Sequence, residues 1–295
     1  MTQNAKAHIA NGVSTLLFGL NYWIAKGLMP DYFSPMQIIF FRTAGATLFF
    51  FVISMFFKNA KIESNDHLKI AIAALFGISI NQAMFFVGLN LSTPIETSII
   101  HASSPILVVV FATYLLKESF SIRKIIGLML GAIGAFILIL WGKDFSLGSK
   151  GLLGNIFILT NISAYALYLV LIKPLMQKYK PINVIRWTFF YGFIFVIPFI
   201  AYPTTQISFS NIPFDKILSL VYVVIATTII TYLLTMYSLT KLSASVVGYY
   251  IYMQPLIVAI IGLWLSAEQI TAYKVVAAIL IFFGVYLVSK KSNNQ

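Results

Sequence analysis

The stretch Pro105-Ile106-Leu107-Val108 recurs 150 residues later as Pro255-Leu256-Ile257-Val258, and each copy is followed thirteen residues on by a glutamate, Glu118 or Glu268. The same shift of 150 residues superposes further identical pairs, among them Lys124 on Lys274 and Gly134 on Gly284. Self-similarity at a fixed spacing indicates that the chain is built from two copies of one unit. A duplicated membrane unit is typical of transporters.

The composition excludes a soluble protein. Of the 295 residues, 60% are hydrophobic and 9% are charged, and the mean hydropathy is +0.91. Soluble domains carry about 25% charged residues, far more than this chain. We therefore expect the outer surface of the protein to lie in a lipid bilayer. The net charge of +12 does not indicate nucleic acid, because the basic residues are scattered between apolar spans rather than gathered on one helix face.

Ten stretches are each long enough to cross hydrocarbon about 30 Å thick as a helix that rises about 1.5 Å per residue. We predict helices at 6–28, 34–57, 67–90, 94–116, 122–141, 152–173, 182–201, 216–238, 243–265 and 271–289. Turn residues place joints at Met29-Pro30-Asp31, Lys173-Pro174, Lys180-Pro181 and Ile212-Pro213-Phe214-Asp215. The predicted fold is all-α, with ten transmembrane helices in two five-helix repeats, residues 1–145 and 146–295.

The lysines and arginines between the spans predict the orientation in the membrane. Most of them fall on one side when both termini are placed in the cytoplasm, as expected for a multi-pass protein of the plasma (inner) membrane. Because five is an odd number, the second repeat enters the membrane upside down, with Glu118 inside and Glu268 outside. An inverted repeat makes inward-open and outward-open states structurally equivalent, which is the physical basis of alternating access.

An ordered set of motifs resembles the drug/metabolite transporter superfamily, specifically the ten-helix EamA-like exporters. The first copy matches at Ser34-Pro35-Met36, Arg42, Pro105, Leu116-Lys117-Glu118-Ser119 and the glycine-rich stretch 126–134. The second copy matches at Pro255, Ala267-Glu268-Gln269-Ile270-Thr271 and Gly284-Val285-Tyr286. The second copy departs in predicted helix 7, where Arg42 aligns near Thr188 and the nearest basic residue is Arg186.

The resemblance implies a secondary active or facilitative transporter, not an enzyme, that exports small metabolites, often amino acids, through a central cavity. It also implies that predicted helices 5 and 10 stay away from that cavity. The expected partners are a small amphiphilic solute, the lipid bilayer and, in a proton-exchange version, protons. An intramembrane lipid-modifying enzyme is the alternative function, and monomer and homodimer are both left open.

Polar side chains inside membrane spans face the bundle interior or a wet cavity, because lipid cannot satisfy them. Helical spacing aligns such residues on single faces of several predicted helices. The predicted substrate-binding residues are Asn21, Asn81, His101, Asn161, Tyr165, Tyr168, Thr231, Tyr249 and Tyr252. For a serine or threonine the alternative is a hydrogen bond to its own helix or to a neighbouring one.

Two charged residues and two prolines complete the candidate site. Glu96 and Arg42 fall at similar depth below the outer face, which allows them to pair. The structural interpretation is a static ion pair, or a Glu96 that reaches water at the interface. The functional interpretation is that Glu96 titrates, or contacts a substrate ammonium, during the transport cycle. Pro105 and Pro255 each remove a backbone hydrogen bond and are predicted hinges.

The sequence gives no reason to expect a cofactor or a metal ion. It contains no cysteine and three histidines that are far apart. It also has no glycine-rich loop of the kind that binds nucleotide phosphates, so ATP is not expected to drive transport directly.

Overall fold

The structure is a computed structural model that describes residues 2–56, 61–118, 121–140, 149–210, 212–265 and 272–289. Glu268 and its neighbours lie outside these residues, and so do the side chains of Glu96 and Lys274. The described chain is helical without a strand. Its α-helices are α1 Gln3–Lys26, α2 Pro35–Ser54, α3 Ser64–Ala74, α4 Asn81–Leu91, α5 Pro94–His101, α6 Ser104–Leu116, α7 Ile122–Leu140, α8 Ser149–Lys178, α9 Pro181–Thr205, α10 Phe214–Val224, α11 Thr231–Lys241, α12 Ala244–Tyr249, α13 Met253–Trp264 and α14 Ala272–Ser289.

Local sequence fixes where these helices begin. The α2 helix starts at a capping box, in which the Ser34 side chain accepts from the Gln37 amide while the Gln37 side chain accepts from the Ser34 amide. Pro35 and Pro181 occupy the first positions of α2 and α9, where the missing N–H of proline costs nothing. The predicted joint at Lys180-Pro181 is therefore present.

Length and composition allow six described helical stretches to cross a membrane. They are Pro35–Ser54, Ser64–Leu91, Leu153–Lys178, Pro181–Thr205, Phe214–Lys241 and Ala244–Trp264, and Ser104–Leu116 is a shorter apolar helix. Large apolar side chains project from these helices to the outside, such as Leu48, Phe56 and Trp264, which are 68%, 79% and 88% exposed. Water would not tolerate so many exposed apolar side chains, whereas lipid does. The chain is a multi-pass membrane protein.

A π-helical turn interrupts the third predicted span and another interrupts the eighth. Leu75–Ile80 joins α3 to α4, and Ile225–Ile230 joins α10 to α11. The two interrupted helices are related residue by residue by the same shift of 150 positions, from Ser64 against Phe214 to Leu91 against Lys241. A π-turn widens the helix and changes which residues face inward, and such turns often mark functional sites.

Breaks also divide the fourth and ninth predicted spans close to their prolines. The α5 helix ends at His101, and α6 begins at Ser104 with Pro105 in its first turn. A 3₁₀ turn at Tyr250–Tyr252 separates α12 from α13, which contains Pro255. The regular α-helix is therefore interrupted just before each proline. The role of these prolines as hinges stays a prediction.

One predicted joint is wrong. Lys173-Pro174 was expected to end a helix, but α8 continues through Pro174 to Lys178. The Lys173 ammonium, one residue before the proline, donates to the carbonyls of Leu239 and Leu242 at the end of α11. Internal prolines are tolerated in membrane helices.

The helices α7 and α14 pack against each other through glycines. A Cβ atom on Gly284 would lie 2.7 Å from the carbonyl oxygen of Gly127, so the two backbones touch directly. Gly131 of α7 faces the ring of Tyr252, which a Cβ atom would approach to 2.8 Å. The largest apolar core lies elsewhere, between α8, α9 and α11, and contains Tyr168, Phe189 and Met236.

Candidate functional site

A cavity of about 550 Å³, counting the part open to solvent, lies between the helices. Its aromatic and aliphatic wall consists of Phe18, Tyr22, Phe85, Phe86, Tyr165, Tyr232 and Ile251. Its polar wall consists of Asn21, Arg42, Asn81, Gln82, His101, Asn161 and Gln254. Among the described residues, neither α7 nor α14 contributes to the wall. This size and mixture suit a small solute that is partly apolar and partly polar.

Arg42 is the charged residue of the wall, and it is 4% exposed. Its Nε donates to Gln82 Oε1 at 3.0 Å, its Nη1 donates to Thr227 Oγ1 at 3.0 Å, and its Nη2 donates to the Thr227 carbonyl at 3.2 Å. The guanidinium carbon lies 5.0 Å from the centre of the Phe86 ring, a cation–π distance. These neighbours fix the position of the guanidinium.

The π-turns supply several of these partners. Thr227 lies inside the second π-turn, and Gln82 is the second residue after the first. Tyr232 follows the second π-turn, and its hydroxyl donates to the Gly77 carbonyl of the first at 3.0 Å. Gln82 and Tyr232 occupy equivalent positions of the two sequence repeats, and their side chains meet at 3.5 Å. The equivalent turns therefore come together at the cavity.

Asn81 and Asn161 form a reciprocal pair between α4 and α8. The Asn161 amide donates to the Asn81 backbone carbonyl at 2.7 Å, and the Asn81 amide donates to the Asn161 backbone carbonyl at 3.3 Å. Each side chain thus commits an N–H group to the neighbouring helix. The pair places two polar amides on the cavity wall in a fixed orientation.

His101 lies on the cavity wall at the end of α5. Its Nδ1 is 3.0 Å from the Thr97 carbonyl, so Nδ1 carries a proton and donates to that carbonyl. Tyr22 and Phe85 pack edge-on against the ring at centroid distances of 5.6 and 5.7 Å. Glu96 is in the same helix, but its side chain is outside the described part of the chain.

Five of the nine predicted substrate-binding residues line the cavity, namely Asn21, Asn81, His101, Asn161 and Tyr165. The other four lie off the wall. The Tyr249 and Tyr252 hydroxyls donate to the Lys124 and Leu128 carbonyls of α7, so both tyrosines anchor that helix. Tyr168 is buried with its hydroxyl 3.6 Å from the sulfur of Met236, and the Thr231 hydroxyl donates to the carbonyl of Thr227 at 2.7 Å.

The cavity wall also contains Gln82, Tyr232 and Gln254, which were not predicted from the sequence. A signal for two of them exists, since Tyr232 stands 150 residues after Gln82 and both are polar groups in apolar helices. Gln254 accepts from the Tyr22 hydroxyl at 2.8 Å, a contact between α1 and α13 that no sequence pattern indicates. The remaining missed residues of the wall, among them Phe85 and Phe86, are apolar and resemble ordinary lipid-facing or core positions.

An all-helical membrane protein with a cavity of mixed polar and apolar lining among its helices has the features expected of a transporter. The EamA-like transporter family matches residues 7–140 and again residues 152–290. The chain belongs to that family, and the resemblance to the drug/metabolite transporter superfamily is confirmed.

Curated relatives that are named as transporters align with almost the whole chain. An uncharacterized transporter of Archaeoglobus fulgidus is 25% identical over 98% of this chain and 99% of its own length. The uncharacterized transporter YyaM of Bacillus subtilis is 24% identical over 93% of this chain and 90% of its own. A solved crystal structure shares the fold, with a TM-score of 0.73, 15% identity and coverage of 96% of this chain and 97% of that one.

Proposed function

We propose that the protein exports a small amphiphilic metabolite, resembling an amino acid, by alternating access between two inverted five-helix repeats. The cavity carries this proposal, since it combines a buried charge and several amides with an aromatic wall in the middle of a membrane bundle. Such polar groups are expensive in lipid and are retained where a solute passes. The proposed orientation is N-in and C-in in the plasma membrane, with residues 1–145 and 146–295 as the two repeats.

Matching interactions in the two repeats support the inverted arrangement. Lys26 at the end of α1 donates to the carbonyls of Leu89, Asn90 and Ser92 at 2.8 to 3.0 Å, which caps the end of α4. Lys173 of α8 caps the end of α11 in the same way. In the proposed topology the first of these caps lies at the outer face and the second at the inner face.

Hydrogen bonds join the repeats at the ends proposed to be cytoplasmic. The Ser238 hydroxyl donates to the Ala7 carbonyl at 2.9 Å, and the Asn11 amide donates to the Val247 carbonyl at 3.1 Å. Glu118 accepts from the amide of Ala244 and the hydroxyl of Ser245 at 3.0 and 2.6 Å. The repeats are also joined at the proposed outer end, where the Gln37 side chain donates to the Pro203 carbonyl at 3.0 Å.

Comparing the metabolites of cells with and without the gene tests export. The deletion strain is expected to accumulate a small amphiphilic solute, and proteoliposomes containing the purified protein are expected to release that solute. A pH gradient across the proteoliposomes accelerates release if protons are exchanged, with Glu96 and His101 as candidate proton carriers. Turnover of a lipid headgroup by the purified protein, without solute flux, would contradict the proposal and favour the lipid-modifying enzyme.

The inverted topology has its own test, because the natural chain contains no cysteine. Single cysteines replace the exposed residues Lys117 and Leu265, which follow α6 and α13 at equivalent ends of the two repeats. An impermeant thiol reagent is expected to label Leu265→Cys in intact cells and Lys117→Cys only after permeabilisation. Ser210→Cys and Lys241→Cys serve as outer and inner controls. Labelling of both test sites from one side would rule out the mirrored arrangement.

A further inference from the structure

Among the described residues, the partners of the Arg42 guanidinium are neutral. Gln82 and Thr227 contribute amide, hydroxyl and carbonyl oxygens, and Phe86 contributes the face of its ring. These groups orient the guanidinium but bring no negative charge. A guanidinium stays protonated at neutral pH, so the cavity wall carries a full positive charge in a low-dielectric setting.

The described carboxylates do not neutralise this charge. Glu63 and Asp66 pair with Lys178, and Glu118 lies 3.9 Å from Lys124. Asp215 pairs with Lys216, and Asp31 lies exposed in the turn after α1. Within the described side chains, the acids therefore belong to helix ends and not to the cavity. A buried cation without a counter-ion is costly and favours an anion in the adjoining space.

The hydrogen-bonding capacity of Arg42 is only partly used. A guanidinium has five N–H groups, and three of them donate to Gln82 and Thr227. One N–H group on each terminal nitrogen has no acceptor among the described residues. A carboxylate oxygen that accepts from such an N–H group forms a charge-assisted hydrogen bond, which is roughly twice as strong as a bond between neutral groups.

We infer that Arg42 binds the carboxylate of the transported solute, and that the cavity selects monocarboxylates with an apolar body. Phe18, Phe85 and Ile251 provide the apolar contacts, while the amides of Asn81, Asn161 and Gln254 line the rest of the wall. This inference rests on the proposed function and specifies its substrate class. The site is asymmetric, because Arg186 of the second repeat lies off the cavity and donates to Ser54.

The test measures binding by the thermal stabilisation of the purified protein. The probes are L-leucine, L-phenylalanine, 4-methylpentanoate and 3-phenylpropionate, each paired with its own carboxamide. At least one carboxylate is expected to stabilise the wild type while its carboxamide does not. Arg42→Gln is expected to weaken carboxylate binding at least about tenfold, because a charge-assisted pair is lost. Arg42→Lys keeps the charge but lacks the planar guanidinium. Its affinity for the carboxylate is expected to lie between those of the wild type and Arg42→Gln.

Arg186→Gln is the matched control, since it removes the same group outside the cavity and is expected to leave carboxylate binding unchanged. Equal stabilisation by carboxylates and carboxamides would overturn the inference and would mean that the protein balances the charge itself, with Glu96 as the candidate. Failure of all four carboxylates to stabilise the wild type would overturn it too. If the deletion strain retains a solute that has no carboxylate, export stands and the inference falls.

Discussion

Gly284 shows how one residue sets the distance between two membrane helices. Its Cα position on α14 lies so close to Gly127 of α7 that a Cβ atom would be 2.7 Å from a backbone oxygen. Backbone cannot rotate away as a flexible side chain can. The glycines therefore act through their size, and not through special backbone angles.

Gly284→Ala is expected to force α7 and α14 apart. Overpacking against a rigid neighbour costs about 1–3 kcal/mol, so the purified protein should unfold at a lower temperature. Gly12→Ala is the matched control, because its Cβ atom would meet only the edge of the Tyr250 ring at an ordinary 3.7 Å. Equal thermal stability of the two variants would show that α7 and α14 do not touch through Gly284.

At the scale of the element, the ends of α4 and α11 depend on distant lysines. Helix ends expose carbonyl groups that need donors, and lipid supplies none. Lys26 and Lys173 provide these donors from α1 and α8. The ends of α4 and α11, which the shift of 150 residues superposes, are therefore both capped by a lysine from another helix.

Lys26→Met and Lys173→Met are both expected to destabilise the fold by about 1–3 kcal/mol, because each leaves buried carbonyl oxygens unpaired. Thermal unfolding measures the loss. Lys69→Met is the control, since its side chain is 66% exposed and pairs with Asp66 within one helix turn. If Lys69→Met destabilises as strongly as the other two, the effect comes from lost surface charge and not from the caps.

At the scale of the whole molecule, Glu118 connects the repeats. It ends α6 of the first repeat and accepts from the first residues of α12 in the second, where the helix dipole also favours a negative charge. Alternating access requires such contacts to break when the cavity opens toward the same side. Glu118 is therefore placed to hold closed the end that we propose to be cytoplasmic.

Glu118→Ala is expected to open that end more often. A cysteine at Ile251, on the cavity wall, reports the opening through its labelling rate by a reagent added from the cytoplasmic side. The rate should rise about tenfold or more, since the loss of one charge-assisted bond of about 1.5 kcal/mol already shifts a two-state equilibrium by about a factor of ten. Asp215→Ala, at the proposed outer end, is the control. An unchanged rate in Glu118→Ala would mean that Glu118 does not hold the closed state.

The sequence alone determined that the protein lies in a lipid bilayer, that it is helical and which family it belongs to. These properties follow from composition, span length and the recurrence at 150 residues. It also placed Asn81, His101 and Asn161 among the polar groups that lie on the cavity wall, since each is polar in an apolar helix. Local periodicity suffices for such properties as long as a helix is regular.

Only the tertiary structure decided which side chains face the cavity. The 3₁₀ turn at Tyr250–Tyr252 changes the angle between successive side chains, and in this segment Ile251 and Gln254 line the wall while Tyr249 and Tyr252 face α7. The π-turns do the same for Gln82 and Tyr232. A stripe drawn at about 3.6 residues per turn loses its phase wherever the turn widens or tightens, and the packing of neighbouring helices determines where that happens.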